Sequence, residues 1–292
     1  MNAVDLRMEG LRPFRFRAEV DWIEWEVVLQ TPSNAQTIRR HGRFTFVEAI
    51  DPREGAAATI FRFRIHDPKT FRSAARRVDD LEPLFPMTVE PRLSGIEVSF
   101  DAYPANSEDP NAEAMSRMAA DWFKFLTHPV SPKGRFAGRW VGDVEPVPGG
   151  LGTARMLAAG RVLVIGDRND DLMQRIYVKK TDASTPLPPH QHRARIEVAM
   201  RNIAVPCASM AEGADFRFET LAPYFRFRRL KDDLDSATAY GMARATQLGA
   251  RRHRRTRTGG KAMFGAATRA DLVMNKAARE ALRELTRRWR LT

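Results

Sequence analysis

A chain of 292 residues with 43% hydrophobic side chains has material for one large core, or one domain with an appendage, which excludes a solvated, disordered polymer. The single cysteine, Cys207, excludes an internal disulfide and a cysteine zinc site; no apolar run is long enough to span a bilayer, so the expectation is a reducing cytoplasm and no membrane partner. The net charge is +12, and it is unevenly placed: 18 of the 48 Lys+Arg but 6 of the 36 Asp+Glu lie from Arg226 onward, leaving 30 of each sign before it. A balanced body with a cationic tail calls for a polyanionic partner, nucleic acid before others.

In chain order, FRFRAEVDWIEWEVVLQ (14–30) alternates well enough to predict a two-faced strand, and FTFVEAI (44–50) and ATIFRFRIH (58–66) predict the next two. Asp67-Pro68 predicts a capped helix start, with Phe71, Ala74, Ala75, Val78 and Leu81 at helical spacing until Pro83. GIEVSFDAY (95–103) predicts a strand. Asp109-Pro110 predicts a second helix, with Met115, Met118, Ala119, Trp122 and Leu126 as its buried stripe. Residues 128–150, rich in Pro and Gly, predict a long loop. Strands resume at RVLVIG (161–166), DLMQRIYVKK (171–180) and RARIEVAM (193–200), and FRFETL (216–221) and YFRFRR (224–229) predict further short ones. From about 230 the sequence predicts helix, interrupted by Gly259-Gly260 after RRHRRTR (251–257). Consecutive strands that outnumber the helices predict an α+β fold over residues 1–225, mainly an antiparallel sheet with helices packed on one face. A basic helical C-terminal region, 226–292, follows.

Alternation then sorts side chains by face. Gln174, Ile176 and Val178 oppose Arg175, Tyr177 and Lys179; Ala194, Ile196 and Val198 oppose Arg193, Arg195 and Glu197; Ile96, Val98 and Phe100 oppose Glu97, Ser99 and Asp101. Trp22, Glu24 and Glu26 oppose Ile23, Trp25 and Val27. One sheet built from these strands gathers a tyrosine, guanidinium groups and carboxylates on the face away from the helices. Such a set has a chemical use. A phenol can attack a phosphodiester and become linked to it. Carboxylates can hold a divalent cation that polarises the phosphate. Arg and Lys can offset the charge that builds in the transition state, and cations favour the phenolate. The competing expectation is a solvated sheet face with ordinary cross-strand ion pairs.

VDWIEWEVVL (20–29), LSGIEVSFDAY (93–103) and RIYVKKTD (175–182), the last followed by Arg195-Ile196-Glu197, resemble in order the motifs of the replication initiation factor family. These proteins start rolling-circle replication of small plasmids and some filamentous phages, and related relaxases act on conjugative elements. The resemblance spans about residues 15–200 and implies a metal-dependent nicking endonuclease and strand transferase. It implies Tyr177 as nucleophile, with Arg175 and Lys179 beside it. Glu97, Asp101 and Glu197 become candidate ligands for Mg²⁺ or Mn²⁺. Double- and single-stranded origin DNA is the implied partner; a host helicase or polymerase and a second copy of the chain are further candidates. Arg193 and Arg195 on the sheet, and Arg251, Arg252, Arg254, Arg255 and Arg257 in the tail, are candidate DNA contacts. The chain departs from the family's Arg-Ile-Asp-x-Ala-x-Asp strand, with Gly95 for the arginine and Ser99 for the alanine.

Two other functions remain open at this stage: a non-catalytic DNA-binding regulator or accessory replication factor on the same fold, and an RNA-binding sheet. The RNA reading needs stacking rings, and Tyr177 is the lone clear aromatic on the predicted face. His190-Gln191-His192 reads first as a loop, with both imidazoles only auxiliary ligand candidates. GGLG (149–152) lacks a following Lys-Ser or Lys-Thr and is a turn.

Overall fold

The computed structural model describes residues 14–106, 111–126, 138–141, 162–166, 169–182, 185–230 and 268–290. Strands β1 (Phe14–Asn34), β2 (Phe46–Ala49), β3 (Ala57–His66), β4 (Arg92–Pro104), β5 (Gly138–Val141), β6 (Val162–Ile165), β7 (Leu172–Lys179) and β10 (Arg193–Arg201) form one eight-stranded sheet. Its order is β2-β3-β1-β4-β10-β7-β6-β5, and all neighbouring strands in it pair antiparallel. The pairs β8 (Thr181–Asp182) with β9 (Thr185–Pro186) and β11 (Arg228–Leu230) with β12 (Thr268–Ala270) stand apart. The α+β fold with its antiparallel sheet is thus as expected.

The helices are α1 (Ala35–Gly42), α2 (Phe71–Asp79), α3 (Ala112–Leu126), α4 (Met210–Ala214) and α5 (Leu272–Trp289). They cover the sheet face that carries Ile23, Trp25, Phe61, Phe63, Val98, Phe100, Ile176 and Ile196, and all these side chains belong to one core. The C-terminal α5 is part of that core: Met274, Ala278, Leu282 and Leu285 are buried, and Trp289 stacks edge-on against Phe71 and Phe218. Arg279, Arg283, Arg287 and Arg290 lie on its exposed side.

Local chemistry moved several boundaries. The cap of α2 is Thr70, not Asp67: Thr70 Oγ1 accepts from Ser73 N at 3.1 Å, and Ser73 Oγ accepts from Thr70 N at 3.2 Å. Asn34 starts α1 by accepting from Gln36 N, a helix the alternation pattern did not announce. Among the described side chains of α3, Ala112, Ser116, Ala119, Ala120 and Phe123 are buried and Met118 is exposed; the expected Trp122 and Leu126 side chains lie outside those described. Residues Phe218–Phe225, expected as strand, form a 3₁₀ helix that buries Phe218, Leu221 and Phe225. The expected loop at 128–150 contains β5. RRHRRTR, with Arg251, Arg252, Arg254, Arg255 and Arg257, lies outside the described residues. Among the described residues no helix is long and apolar enough to cross a membrane.

Candidate active site

Register decides which side chains of the open face meet. Across β7, β10 and β4, Arg175 pairs with Glu197, which pairs with Ser99; Met173 pairs with Ala199, which pairs with Glu97. Glu97 and Glu197 are therefore diagonal neighbours, close enough for one long side chain to bridge. Arg175 does so: its Nη2 lies 3.0 and 2.9 Å from the two oxygens of Glu97 and 2.7 Å from Glu197 Oε2. Tyr177, one pleat along β7, donates from Oη to Glu197 Oε1 at 2.5 Å. The phenol stands on the face opposite the helical core, in contact with one of the three expected carboxylates, Glu197.

The third expected carboxylate sits elsewhere. Asp101 is fully buried and accepts from Arg195 Nε and Nη2, both at 2.6 Å, and from Arg193 Nε at 3.2 Å. Arg195, 1% exposed, also donates from Nη1 to Asp21 Oδ1 at 2.7 Å. Arg193 lies over the Tyr103 ring, with its guanidinium carbon 5.1 Å from the centroid. Lys179 pairs with Asp182 at 2.8 Å. His190 lies within the 3₁₀ turn Pro189–Gln191 and His192 caps its end, so they do not alternate on a strand, and His192 Nε2 contacts Leu187 O at 3.0 Å.

Asp21 takes the place beside Glu97 and Glu197: one carboxylate oxygen of each lies within 4.8 Å of the others. Sequence periodicity hides it. The β1–β4 register runs Val20 to Val98 and then Trp22 to Glu97, so Asp21 is the extra residue of a β-bulge. The bulge reverses the parity of β1. Glu19 precedes it on the open face and Trp22, Glu24 and Glu26 follow it there, while Ala18, Val20, Ile23 and Trp25 all enter the core. A break in alternation at Val20-Asp21-Trp22, with two successive non-core positions, was the available signal.

Aromatic rings also appear on this face. Trp22 lies between the guanidinium groups of Arg64 and Arg201, 4.5 and 5.2 Å from its centroid, and is 5% exposed. Gly95 makes room for it, since a Cβ there would stand 3.0 Å from the Trp22 ring. Two arginines thus approach the indole where Gly95 leaves it room. Because the ring is covered on both sides, it offers no free platform for a base.

The electrostatics follow from burial. Asp21 is pushed up to about 7, chiefly by desolvation, with Arg195 pulling the other way. Desolvation also raises Glu97, against Arg175, and raises Glu197, with Glu97 adding to it. The Tyr177 phenol is driven up by burial and then by the Glu197 charge. The expectation that neighbouring cations favour the phenolate does not hold for the side chains alone, since a buried carboxylate at 2.5 Å favours the protonated phenol.

The donor set fits a hard divalent cation. Asp21 Oδ2 is buried and accepts no hydrogen bond, an arrangement costly for a carboxylate oxygen unless something cationic meets it, whereas Glu197 Oε2 is met by Arg175 Nη2 at 2.7 Å. Three carboxylates with no sulfur or imidazole suit Mg²⁺ or Mn²⁺. Burial of Asp21 also has a pH consequence. Its folded-state value lies above the ordinary 3.8, so the folded state holds a proton that the unfolded chain has lost. That contribution is complete below about pH 4 and disappears as pH rises through about 7. In EDTA, the thermal midpoint of Asp21→Asn is expected to fall less steeply than wild type between those limits; parallel curves would contradict the burial of a protonated Asp21.

The sequence matches no family model, and no curated protein matches it. Among solved structures, the rolling circle replication initiator protein from Geobacillus stearothermophilus is similar over 79% of this chain and 97% of that one, at 11% identity and a TM-score of 0.35.

Proposed function

We propose that the chain is a metal-dependent DNA-nicking protein that initiates rolling-circle replication by cutting one origin strand through a covalent phosphotyrosine at Tyr177. The observation that carries this is the 2.5 Å hydrogen bond from Tyr177 Oη to Glu197, one of three clustered carboxylates among which the buried Asp21 Oδ2 accepts no hydrogen bond. Glu197, made more basic by burial and by Glu97, accepts the proton of Tyr177 as Oη attacks the phosphorus. The Oη–P bond forms and the P–O3′ bond breaks. A 5′-phosphotyrosyl link remains, and the 3′-oxygen takes a proton from solvent to become the hydroxyl that a polymerase extends. A second transfer of the same kind rejoins the ends. Asp21, Glu97 and Glu197 are the residues that would hold Mg²⁺ or Mn²⁺, which when bound polarises the phosphate oxygens. Lys179 and Arg175 offset the charge that develops on those oxygens. The cationic segment 251–257 adds salt-sensitive affinity for the DNA backbone.

The test uses supercoiled plasmid carrying the protein's own origin, with Mg²⁺ or with EDTA. Nicked circles bearing covalently attached protein, formed only with Mg²⁺, are the expected result. Tight origin binding without any nick assigns the chain instead to a DNA-binding regulator, and preference for RNA removes both.

A further inference from the structure

We infer that Arg175 and the divalent cation exchange for the same two carboxylates, so that loading the site frees Arg175 for the DNA phosphate. This rests on the metal-site reading above and adds a device that couples the cation to strand binding. Arg175 meets the cluster through one nitrogen, Nη2, at 3.0 and 2.9 Å from Glu97 and 2.7 Å from Glu197. Its Nε is buried and makes no hydrogen bond.

A guanidinium that braces a fold uses its whole fork. Arg195, on the next strand, does this: Nε and Nη2 hold Asp101, Nη1 holds Asp21, and the side chain is 1% exposed. Arg175 differs on each count. It is held by a single nitrogen, and its side chain is 36% exposed, so a path to solvent lies beside it.

A cation gripped by Glu97 and Glu197 draws on the oxygens that Nη2 contacts. Magnesium–oxygen bonds are about 2.1 Å long. Glu97 and Glu197 would hold such an ion closer than they hold the guanidinium, and two positive charges so close would repel strongly in a poorly solvated site. Arg175 then gives way. Its backbone stays on β7, about 7 Å along the strand from Tyr177 and on the same face. A phosphate presented to Tyr177 thus lies within the sweep of the freed fork. The exchange keeps Arg175 off the DNA until the cation is in place.

The experiment measures ion binding without DNA. MnCl₂ and MgCl₂ are titrated calorimetrically into wild type, Arg175→Gln, Arg175→Met and Glu97→Gln. In parallel, the Arg175 side-chain Nε–H resonance of ¹⁵N-labelled wild type is followed to saturation with MgCl₂. Both Arg175 variants are expected to bind Mn²⁺ about tenfold more tightly than wild type, with Glu97→Gln weaker. The Arg175 resonance is expected to move. Equal or weaker binding by the Arg175 variants, or an unmoved resonance at saturation, overturns the exchange; Glu97→Gln still differing from wild type then leaves the metal site standing. Ion binding by none of the four proteins removes the metal site and the exchange together. If the variants do not fold, the wild-type resonance alone decides.

Discussion

Tyr177→Phe is expected to abolish the covalent protein–DNA adduct, by on the order of 10³-fold or more, while origin binding stays at the wild-type level. The phenylalanine keeps the ring and loses only Oη, the atom that donates to Glu197 at 2.5 Å. Glu197 Oε1 is left without that donor, at a cost of about 1–3 kcal/mol. A cooperative thermal transition near the wild-type midpoint shows that the loss is chemical and not a loss of fold. Nicked plasmid without an adduct, or adduct formation by the variant, transfers the nucleophile's role away from Tyr177.

The largest effect on stability is expected from Arg195→Met. The residue is 1% exposed and holds Asp101, itself fully buried, through two bonds of 2.6 Å, and Asp21 through one of 2.7 Å. Removing the guanidinium leaves Asp101 with Arg193 at 3.2 Å and Tyr103 at 3.4 Å, and leaves Asp21 Oδ1 without its donor. Breaking a buried pair in this way costs about 3–5 kcal/mol. In a domain of this size that lowers the thermal midpoint by about 10 °C. A fall of only a degree or two would mean that other donors hold Asp101 in place of Arg195. The expectation from sequence put Arg195 on DNA and Asp101 on the metal; in the structure their charges are spent largely on each other.

The sheet was legible because its strands alternate. Ile96, Val98 and Phe100 against Glu97, Ser99 and Asp101 is a pattern that only one pairing of faces satisfies. The same alternation misled at 216–225, where Phe216 and Phe218 mimic a strand but Leu221 and Phe225 fit the 3₁₀ turn that buries them, while the end of the strand expected at 224–229 is the start of β11. Within the site, Glu97, Glu197, Tyr177 and Arg175 could be assigned to one face. Their convergence could not be seen, because it depends on Glu197 standing opposite Ser99 rather than Glu97. Asp21 was hidden for a different reason. A bulge adds a residue without changing the composition of the strand, and the two tryptophans around it, Trp22 facing out and Trp25 facing in, look alike to any hydrophobicity pattern.

That bulge makes the third carboxylate separable from the architecture. Val20 opposite Val98 and Trp22 opposite Glu97 would be consecutive pairs of an uninterrupted ladder if Asp21 were absent. Loss of one codon would therefore straighten the ribbon and leave every core side chain of β1 where it is. A lineage carrying such a deletion could keep the scaffold intact after its chemistry had gone.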